Sequence, residues 1–419
     1  MPRAGDTTRV RPIVRTLLAI VAFSAVSGAV SAQTLPPAAT VLTLEAAFTR
    51  ATEANPTLAA ARLRRSVDLA GRDVARERLN PEVRVEAERA TPKWSYTFAL
   101  PLELGGKRGR RIDASDAAIH TGEAELAVLV LEVRAEVRRA YFDRVAADAR
   151  LVLQNELRDI ASRVRDAAQQ RFDAGSSPRL ELVQSQLTLA QVENDTASAR
   201  ATSVAARTQL NALLGWPLDT PSTVEPALDG GSVPPAQAAI ARAEAASAEL
   251  ALAERKIAEQ RAKIALARAM QVPDVTPEAA LTRNSEPEFD TGWRAAVAIG
   301  VPLFTRHRAG VRLEEATLAQ LETERDATRA RIGGEIASTA TLAQSQWEQY
   351  VRYRDQILPQ ALEVERMAED SYRLGQTGIA AFLQALQSTR DVRLRALQSG
   401  ADFQRALADL ERAIGTPLQ

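Results

Sequence analysis

The chain has 419 residues, with 53 basic and 53 acidic side chains and therefore no net charge. A nucleic-acid-binding protein normally carries a basic excess, so this balance argues against that class. The sequence contains no cysteine, which excludes disulfides, thiolate metal ligands and cysteine nucleophiles.

The N-terminus has the order of features typical of a secretory signal. Arginines precede a short apolar run, Leu17–Val30, and small side chains follow it before Gln33. We therefore predict a signal peptide over 1–32, an extended leader over 33–41 and an exported mature protein. The alternative is a buried N-terminal helix. No later stretch reaches the ~18–20 apolar residues of a membrane-spanning helix.

Residues 42–78 are predicted to be helical, with a joint at Asn55-Pro56 where a second helix begins. The apolar period then changes to two, with valines alternating with charged residues and aromatic residues with small polar ones. This alternation predicts strands at 82–90 and 94–104. A soluble sheet and one wall of a membrane barrel both fit the pattern.

A long helical hairpin follows the strands. The runs 123–174 and 179–214 contain neither glycine nor proline, and Gly175–Pro178 separates them. A narrow apolar seam, including Val130, Val133 and Val137, is typical of a coiled coil. A helix from Arg108 to Phe172 would be a rod about 100 Å long.

The second half of the chain repeats this order. Gly175 and Gly375 differ by 200 positions, as do Gly215 and Gly415, and such a constant register indicates internal duplication. The predicted parts are a first repeat 42–217 with its tip at 173–178, a connector 218–235, and a second repeat 236–419 with strands 273–284 and 292–304 and its tip at 374–378.

The helix lengths predict how the arms stack. The returning arm 179–214 covers about half of the first arm at ~1.5 Å per residue. We predict that helix 236–271 completes it end to end, and that helix 42–78 completes the final arm before Gly415. The strands then gather at one end of the rod and the tip glycines at the other.

Four strands are too few to close a membrane barrel, and open sheet edges are not tolerated in lipid. Pooling strands in a cyclic oligomer solves this problem. The predicted fold is mainly α with a membrane β part: a duplicated helix-strand-strand-helix unit that forms a long α-helical coiled-coil barrel, with four strands per subunit contributing to a trimeric 12-strand β-barrel.

The chain resembles the TolC family of outer-membrane efflux proteins over essentially its whole mature length. The resemblance is carried by Leu42–Ala47, Asn55-Pro56, Leu58–Ala61, the tip glycines, the helix ends Leu213–Gly215 and Ala413–Gly415, and the duplication. It implies a homotrimeric channel-tunnel in the outer membrane of a Gram-negative cell, with a periplasmic extension. The implied partners are a periplasmic adaptor protein, an inner-membrane RND-type pump and outer-membrane lipid.

The segment Leu100–Arg108, Leu-Pro-Leu-Glu-Leu-Gly-Gly-Lys-Arg, resembles the heavy-metal (Czc-type) cation-efflux branch of that family. Metal cations are therefore the expected cargo. The chain itself has only two histidines, His120 and His307, and we expect no metal site. A passive conduit needs no ligands, so substrate choice would lie in the pump.

Three groups of candidate functional residues follow. The adaptor-docking tips are predicted at Arg171, Phe172, Gly175, Ser176, Tyr372, Arg373, Gly375 and Thr377, with a plain interhelical turn as the alternative. The entrance constriction is predicted at Glu181, Gln184 and Gln384, with a solvated helix surface as the alternative. Lipid-facing barrel positions are predicted at Trp94, Tyr96, Phe98, Leu100, Trp293, Val297 and Ile299, and the lumen at Glu82, Arg84, Glu86, Glu88 and Arg294.

The predicted function is passive export of small molecules, with metal cations as the expected class. No Ser/His/Asp set, metal cluster or phosphate-binding loop is visible, so we predict no catalytic residue and no cofactor. The rival interpretation is a secreted coiled-coil structural or adhesin-type protein with a soluble sheet. The exported substrate, the partner pump and the resting state of the gate are left open.

Overall fold

A computed structural model of the chain describes residues 41–89, 92–228, 231–285, 289–416 and 418. The predicted signal peptide, the leader before position 41 and the end of the predicted strand 82–90 lie outside these residues. In chain order, the elements are β1 (Val41–Leu42), α1 (Leu44–Ala54), α2 (Pro56–Arg76), β2 (Glu82–Ala87), β3 (Trp94–Ala99), α3 (Lys107–Asp173), α4 (Arg179–Leu213), β4 (Thr223–Val224), α5 (Ala236–Ala246), α6 (Ala248–Ala269), β5 (Val275–Ser285), β6 (Phe289–Ile299), α7 (Arg308–Arg352), a π turn (Tyr353–Ile357), α8 (Leu358–Arg373) and α9 (Ile379–Ile414).

The helices lie side by side in a wall of four staves, each stave being one long helix or two shorter helices placed end to end. α3 has 67 residues, which corresponds to about 100 Å. It packs against α2 and α4 on one side and against α6 and α9 on the other, and α7 with α8 forms the fourth stave beside α6 and α9. The α2/α4 stave and the α7/α8 stave are therefore the two edges of the wall.

The prediction of one continuous helix over 236–271 is wrong, because the helix is interrupted at Ser247. Ser247 adopts an extended backbone, and its hydroxyl accepts a hydrogen bond from Leu250 N–H at the start of α6. Asn55 does the same between α1 and α2, where its Oδ1 accepts from the amides of Thr57 and Leu58. Both breaks are capped helix starts. Serine at an N-cap needs no glycine or proline, so the sequence pattern did not reveal this one.

The predicted order of stacking is also wrong. Asn55 Nδ2 donates to Leu213 O at 2.9 Å, so the end of α4 meets the α1–α2 joint and not α6. In the second half, Gly415 at the end of α9 lies against Ser247 and the amide of Ala248. Each short return helix is therefore completed by the helix that precedes the strands of its own half.

The long helix of the second half is interrupted where an unbroken one was predicted. A π turn over Tyr353–Ile357 separates α7 from α8, and Leu358 N–H bonds to Tyr353 O five residues back. Pro359 follows in the first turn of α8. Proline has no amide hydrogen and its ring crowds the carbonyl four residues earlier, so a wider turn accommodates it.

The described strands form a four-stranded antiparallel sheet in the order β2-β3-β5-β6. A separate short parallel pair joins β1 to β4. β3 ends at Ala99, five residues before the predicted end, because Pro101 cannot donate a ladder hydrogen bond. Beyond Ala99, Leu100 N–H still donates to Pro277 O, and a bridge joins Leu102 to Val275. β6 likewise ends at Ile299, before Pro302.

Candidate functional sites in the sheet and at the helix tips

One face of the sheet is apolar and open. The register brings Val85, Tyr96, Leu281 and Trp293 into one row across the four strands. All four are exposed, and Trp293 has 82% of its surface accessible. The predicted lipid-facing side chains share this face and are all exposed: Trp94, Tyr96, Phe98, Leu100, Trp293, Val297 and Ile299.

The opposite face carries the charges. Arg84, Thr97, Ala280 and Arg294 form the row next to the aromatic one. Glu82 and Glu86 flank Arg84 on β2, as the alternation predicted. Apart from Arg283, which lies opposite Trp94 near the far end of the sheet, the first face is largely apolar and open to solvent. An exposed apolar surface of this size is typical of a face that contacts lipid or a partner.

The sheet is tied to the helices by the segment that resembles the heavy-metal branch. Lys107 is 5% exposed, and its Nζ lies 2.7 Å from Asp274 Oδ2. The other oxygen of Asp274 accepts from Leu104 N–H at 3.0 Å. Gly105 has a φ of +68°, and a Cβ there would lie 2.8 Å from Val272. The glycine and lysine of this segment therefore have structural explanations.

The Asp274 carboxyl is held in its charged form. Burial raises its pKa, but the hydrogen bond from Lys107, the one from the Leu104 amide and the attraction to the lysine charge outweigh that effect and lower the pKa below its usual range. Nearby, Arg111 bonds Glu103 at 2.6 Å and also the carbonyls of Ala75 and Glu77. The end of α2 is thereby pinned to the start of α3.

The two tips have the same backbone. Gly175 and Gly375 have φ values of +70° and +71°. At the first tip, Gly175 N–H bonds Phe172 O and Ser176 N–H bonds Arg171 O; the corresponding pairs recur at the second tip. This is the Schellman arrangement that ends a helix, and its left-handed residue favours glycine. The two glycines occupy equivalent positions in the two halves of the chain because the two turns have the same backbone conformation and hydrogen bonds.

The tips also touch each other. The guanidinium of Arg171 lies 5.7 Å from the centre of the Tyr372 ring, which stacks on Phe382 with 5.6 Å between the ring centres. Sequence reasoning missed Phe382, although its place one turn into α9 was the available signal. Phe172, Arg373, Ser176 and Thr377 are exposed around this contact.

The predicted entrance residues lie in the first turns after the tips. Glu181 and Gln184 are half-buried on α4, and Gln384 is exposed on α9. One carboxylate oxygen of Glu181 is buried without a hydrogen-bond partner among the described residues. Within the described part of one chain, this oxygen of Glu181 is therefore unsatisfied.

A buried ion-pair network inside the helical wall was missed by sequence reasoning. Glu411, 2% exposed, accepts from Arg134 at 2.5 Å and from Arg138 at 2.8 Å. Arg138 also bonds Gln404, whose amide donates to Leu228 O in the connector. Burial lowers the pKa of Arg138, and attraction to Glu411 partly opposes this. The sequence signal that could have revealed this network was the presence of Arg134 and Arg138 in the apolar seam of α3, beside Val133 and Val137.

In the described ranges, no group of three or more His, Asp or Glu side chains is placed to hold a metal ion. None of the helices that the structure describes is both long and apolar enough to cross a lipid bilayer.

The sequence model of a protein family described as outer membrane efflux protein matches residues 48–216 and 239–416. The chain belongs to the outer membrane efflux protein family. The two matched segments lie in the two predicted repeats, with the connector between them. The predicted family is confirmed, and with it an outer-membrane location and a role in efflux.

Relatives of known role are similar over most of this efflux protein. The cobalt-zinc-cadmium resistance protein CzcC of Cupriavidus metallidurans is 26% identical over 381 residues, which cover 90% of this chain and 91% of that protein. The nickel-cobalt-cadmium resistance protein NccC of Alcaligenes xylosoxydans xylosoxydans is 27% identical over 301 residues, 65% of this chain and 66% of that protein.

Solved structures show the same fold. The CmeC outer membrane channel of Campylobacter jejuni superposes with a TM-score of 0.74 at 15% identity, covering 90% of this chain and 86% of that one. CusC, described in connection with transmembrane channel formation, gives 0.73 at 18% identity, over 89% and 92% of the two chains. The predicted combination of a helical barrel wall with a β part is confirmed at the level of the fold.

Proposed function

We propose that this protein is the outer-membrane channel of a tripartite efflux system and exports heavy-metal cations as a passive conduit. The observation that carries the proposal is the sheet: four open strands, apolar on one face and charged on the other, continue directly into a wall of helices. The metal class is supported by the relatives, whose names attach them to cobalt, zinc, cadmium and nickel resistance. The proposal gives the chain no catalytic role.

The proposed assembly is a homotrimer with a 12-strand barrel. β2 and β6 are unpaired edges, which lipid does not tolerate. The edge staves also leave apolar side chains exposed, which a neighbouring copy would cover, and those on α2 and α4 follow coiled-coil spacing. These exposed side chains are Leu63, Val67 and Val74 on α2; Leu180, Val183 and Leu187 on α4; Leu313 and Leu342 on α7; and Leu362 and Met367 on α8.

The cargo is tested by gene disruption. The disrupted strain is expected to become sensitive to cobalt, zinc, cadmium or nickel salts and to regain resistance with the wild-type gene. A strain that stays resistant to all four, yet becomes sensitive to organic drugs, would contradict the metal class.

Complementation with Trp293→Asp is expected to fail, since the charge lies on the apolar face. Ala296→Gln, on the other face of the same strand, is the matched control and should restore resistance.

We propose that both tips dock the periplasmic adaptor, which passes cargo from an inner-membrane pump. The support is the matching turn at Gly175 and Gly375 with charged side chains exposed around it. The double variant Arg171→Glu/Arg373→Glu should lose metal resistance while assembling normally. Arg352→Glu, a charge reversal at an exposed position on α7 away from the tip, should keep it. Full resistance in the tip variant would contradict docking there.

We propose that Glu181 lines the entrance once three copies meet. Three carboxylates near one axis would attract cations. Single-channel recordings of Glu181→Gln should show a reduced preference for cations over anions. An unchanged preference would reject this role and leave Glu181 on an ordinary helix surface.

A further inference from the structure

The two edges of the sheet carry charges that find no partner within one chain. Glu82, Arg84, Glu86 and Glu88 lie at the β2 edge, and Arg294 lies on β6. All are exposed and, in the structure as described, none has an ion pair. The strand residues among them project from the charged face, so a second copy placed edge to edge would bring charge against charge.

The chirality of the chain determines on which side that copy lies. Glu88 N–H donates to Lys93 O at 3.0 Å, so the charged-face residues of β2 point their peptide groups at β3. Leu100 N–H donates to Pro277 O at 3.0 Å, so apolar-face residues of β3 point theirs at β5. For L-residues, these two hydrogen-bond directions determine the order of the strands as seen from one face. When the helices are below the sheet and the apolar face is toward the viewer, the strands β2, β3, β5 and β6 follow one another from right to left.

The tilt of barrel strands then limits the register. Strands coil right-handedly, so a path leftward along the hydrogen bonds climbs away from the helices. Across four strands about 4.8 Å apart, a tilt of roughly 35–45° shifts this path along the strand direction by about 13–19 Å, which is about four to six residues. This shift from one copy to the next is the climb. An odd number would turn Val83 and Val85 onto the charged face, so the climb is about four or about six.

The charges distinguish these registers. With no climb, the row from Arg84 through Thr97 and Ala280 to Arg294 would meet Arg84 of the next copy, and like charges directly opposite are destabilising. A climb of about four residues brings Glu88 opposite Arg294. A climb of about six brings no charge directly opposite Arg294.

The apolar face agrees with the climb of about four residues. In that register Val85 lies opposite Val297 and Val83 opposite Ile299, so β-branched side chains meet across the junction, a favourable cross-strand pairing. The longer climb would move Val83 to Val301, beyond the end of β6 at Ile299. Both faces therefore favour the same register.

We propose that Glu88 of one copy pairs with Arg294 of the next, and that this pair sets the register in which the copies close the barrel. The inference rests on the proposed trimer. An exposed ion pair contributes little stability by itself. Its value lies in discrimination between the two registers that the tilt allows, since the climb of about six residues leaves Arg294 without an opposite charge.

The absence of cysteine from the sequence makes the register directly measurable. Because Glu88 bonds to β3, its side toward the next copy is a non-hydrogen-bonded position, where side chains approach most closely. In the full-length protein in outer membranes, Glu88→Cys/Arg294→Cys should form cross-linked trimers on oxidation. Arg84→Cys/Arg294→Cys, Glu86→Cys/Arg294→Cys and Glu88→Cys/Ala296→Cys are the comparison pairs and should cross-link poorly.

Charge reversal provides a second measurement. Arg294→Glu should reduce the fraction of trimer that survives unheated electrophoresis, and Glu88→Arg/Arg294→Glu should restore it. Arg84→Glu, on the same face but opposite alanine in this register, is the matched control and should leave the fraction unchanged.

Preferential cross-linking of any comparison pair would overturn the register, as would an intact trimer that cross-links at none of the four pairs. Failure of the reversed pair to restore assembly would overturn the role of the charges. A wild-type protein that runs only as a monomer would count against the proposed function itself, which distinguishes the two failures.

Discussion

Lys107 Nζ lies 2.7 Å from Asp274 Oδ2, so the first residue of α3 is joined to the residue before β5. The pair links the two halves of the chain where the sheet meets the helices. Because Lys107 is almost fully buried, the Asp274 carboxylate is the counter-ion that compensates for its burial.

We expect Asp274→Asn to destabilise the protein by about 1–3 kcal/mol, since it weakens a charged hydrogen bond to a buried lysine. Urea unfolding of the detergent-solubilised protein would measure the loss. Asp113→Asn, which removes an exposed pair with Arg110, is the control and should change stability by about 0–1 kcal/mol. Equal effects of the two substitutions would contradict a special role for Asp274.

Gly215, just after the end of α4, contacts the joint between α1 and α2. Its φ is +64°, and a Cβ there would lie 2.3 Å from Ala54 O. Gly215→Ala should therefore cost about 3 kcal/mol or more. Gly175→Ala shares the left-handed backbone but has open space around it, so only the strain of about 1–2 kcal/mol applies. Comparing the two melting temperatures checks whether the stacking contact exists as described.

Glu411 neutralises two arginines inside the wall. We expect Glu411→Gln to cost about 3–5 kcal/mol, because the buried Arg138 would keep its charge without a counter-ion and the partly exposed Arg134 would lose its partner. Asp402→Asn, which weakens a more exposed pair with Arg405, should cost about 0–1 kcal/mol. Denaturant titration of both variants tests this. A loss below 1 kcal/mol for Glu411→Gln would show that water reaches the arginines.

Glu365 on α8 should make stability depend on pH. Burial raises the pKa of its carboxyl; Arg393 and Thr389 act against this, and Glu369 and Glu156 add to it. With the folded pKa above the unfolded one, its contribution is complete below the unfolded value of about 4.3 and is lost as pH rises through the folded value.

Glu365→Gln should therefore gain stability relative to the wild type as the pH is raised from about 4 to 7. Melting temperatures measured across this range test the sign. The exposed neighbour substitution Glu363→Gln should show no such trend. A difference that is constant with pH would mean that the folded and unfolded pKa values are equal.

Local patterns were sufficient to predict the helical arms, because long runs without glycine or proline have few alternatives to a helix. The faces of the strands followed from alternation, as Tyr96 and Phe98 on the open apolar face show. The tips followed from glycine, the residue that tolerates the positive φ found at Gly175 and Gly375. The breaks at Ser247 and at the π turn were missed because a serine cap and a single proline leave the apolar period almost unchanged.

Helix length and periodicity established a full-length arm beside two half-length arms, and alternation established a sheet with unlike faces. They could not determine which half-arms meet, since α2 and α6 are nearly equal in length and either could follow α4. Packing made that choice: Gly215 lies against the carbonyl of Ala54, where only a residue without a side chain fits, and Asn55 Nδ2 donates to the carbonyl of Leu213. Contacts between residues so distant in the chain depend on three-dimensional shape, which no local repeat in the sequence records.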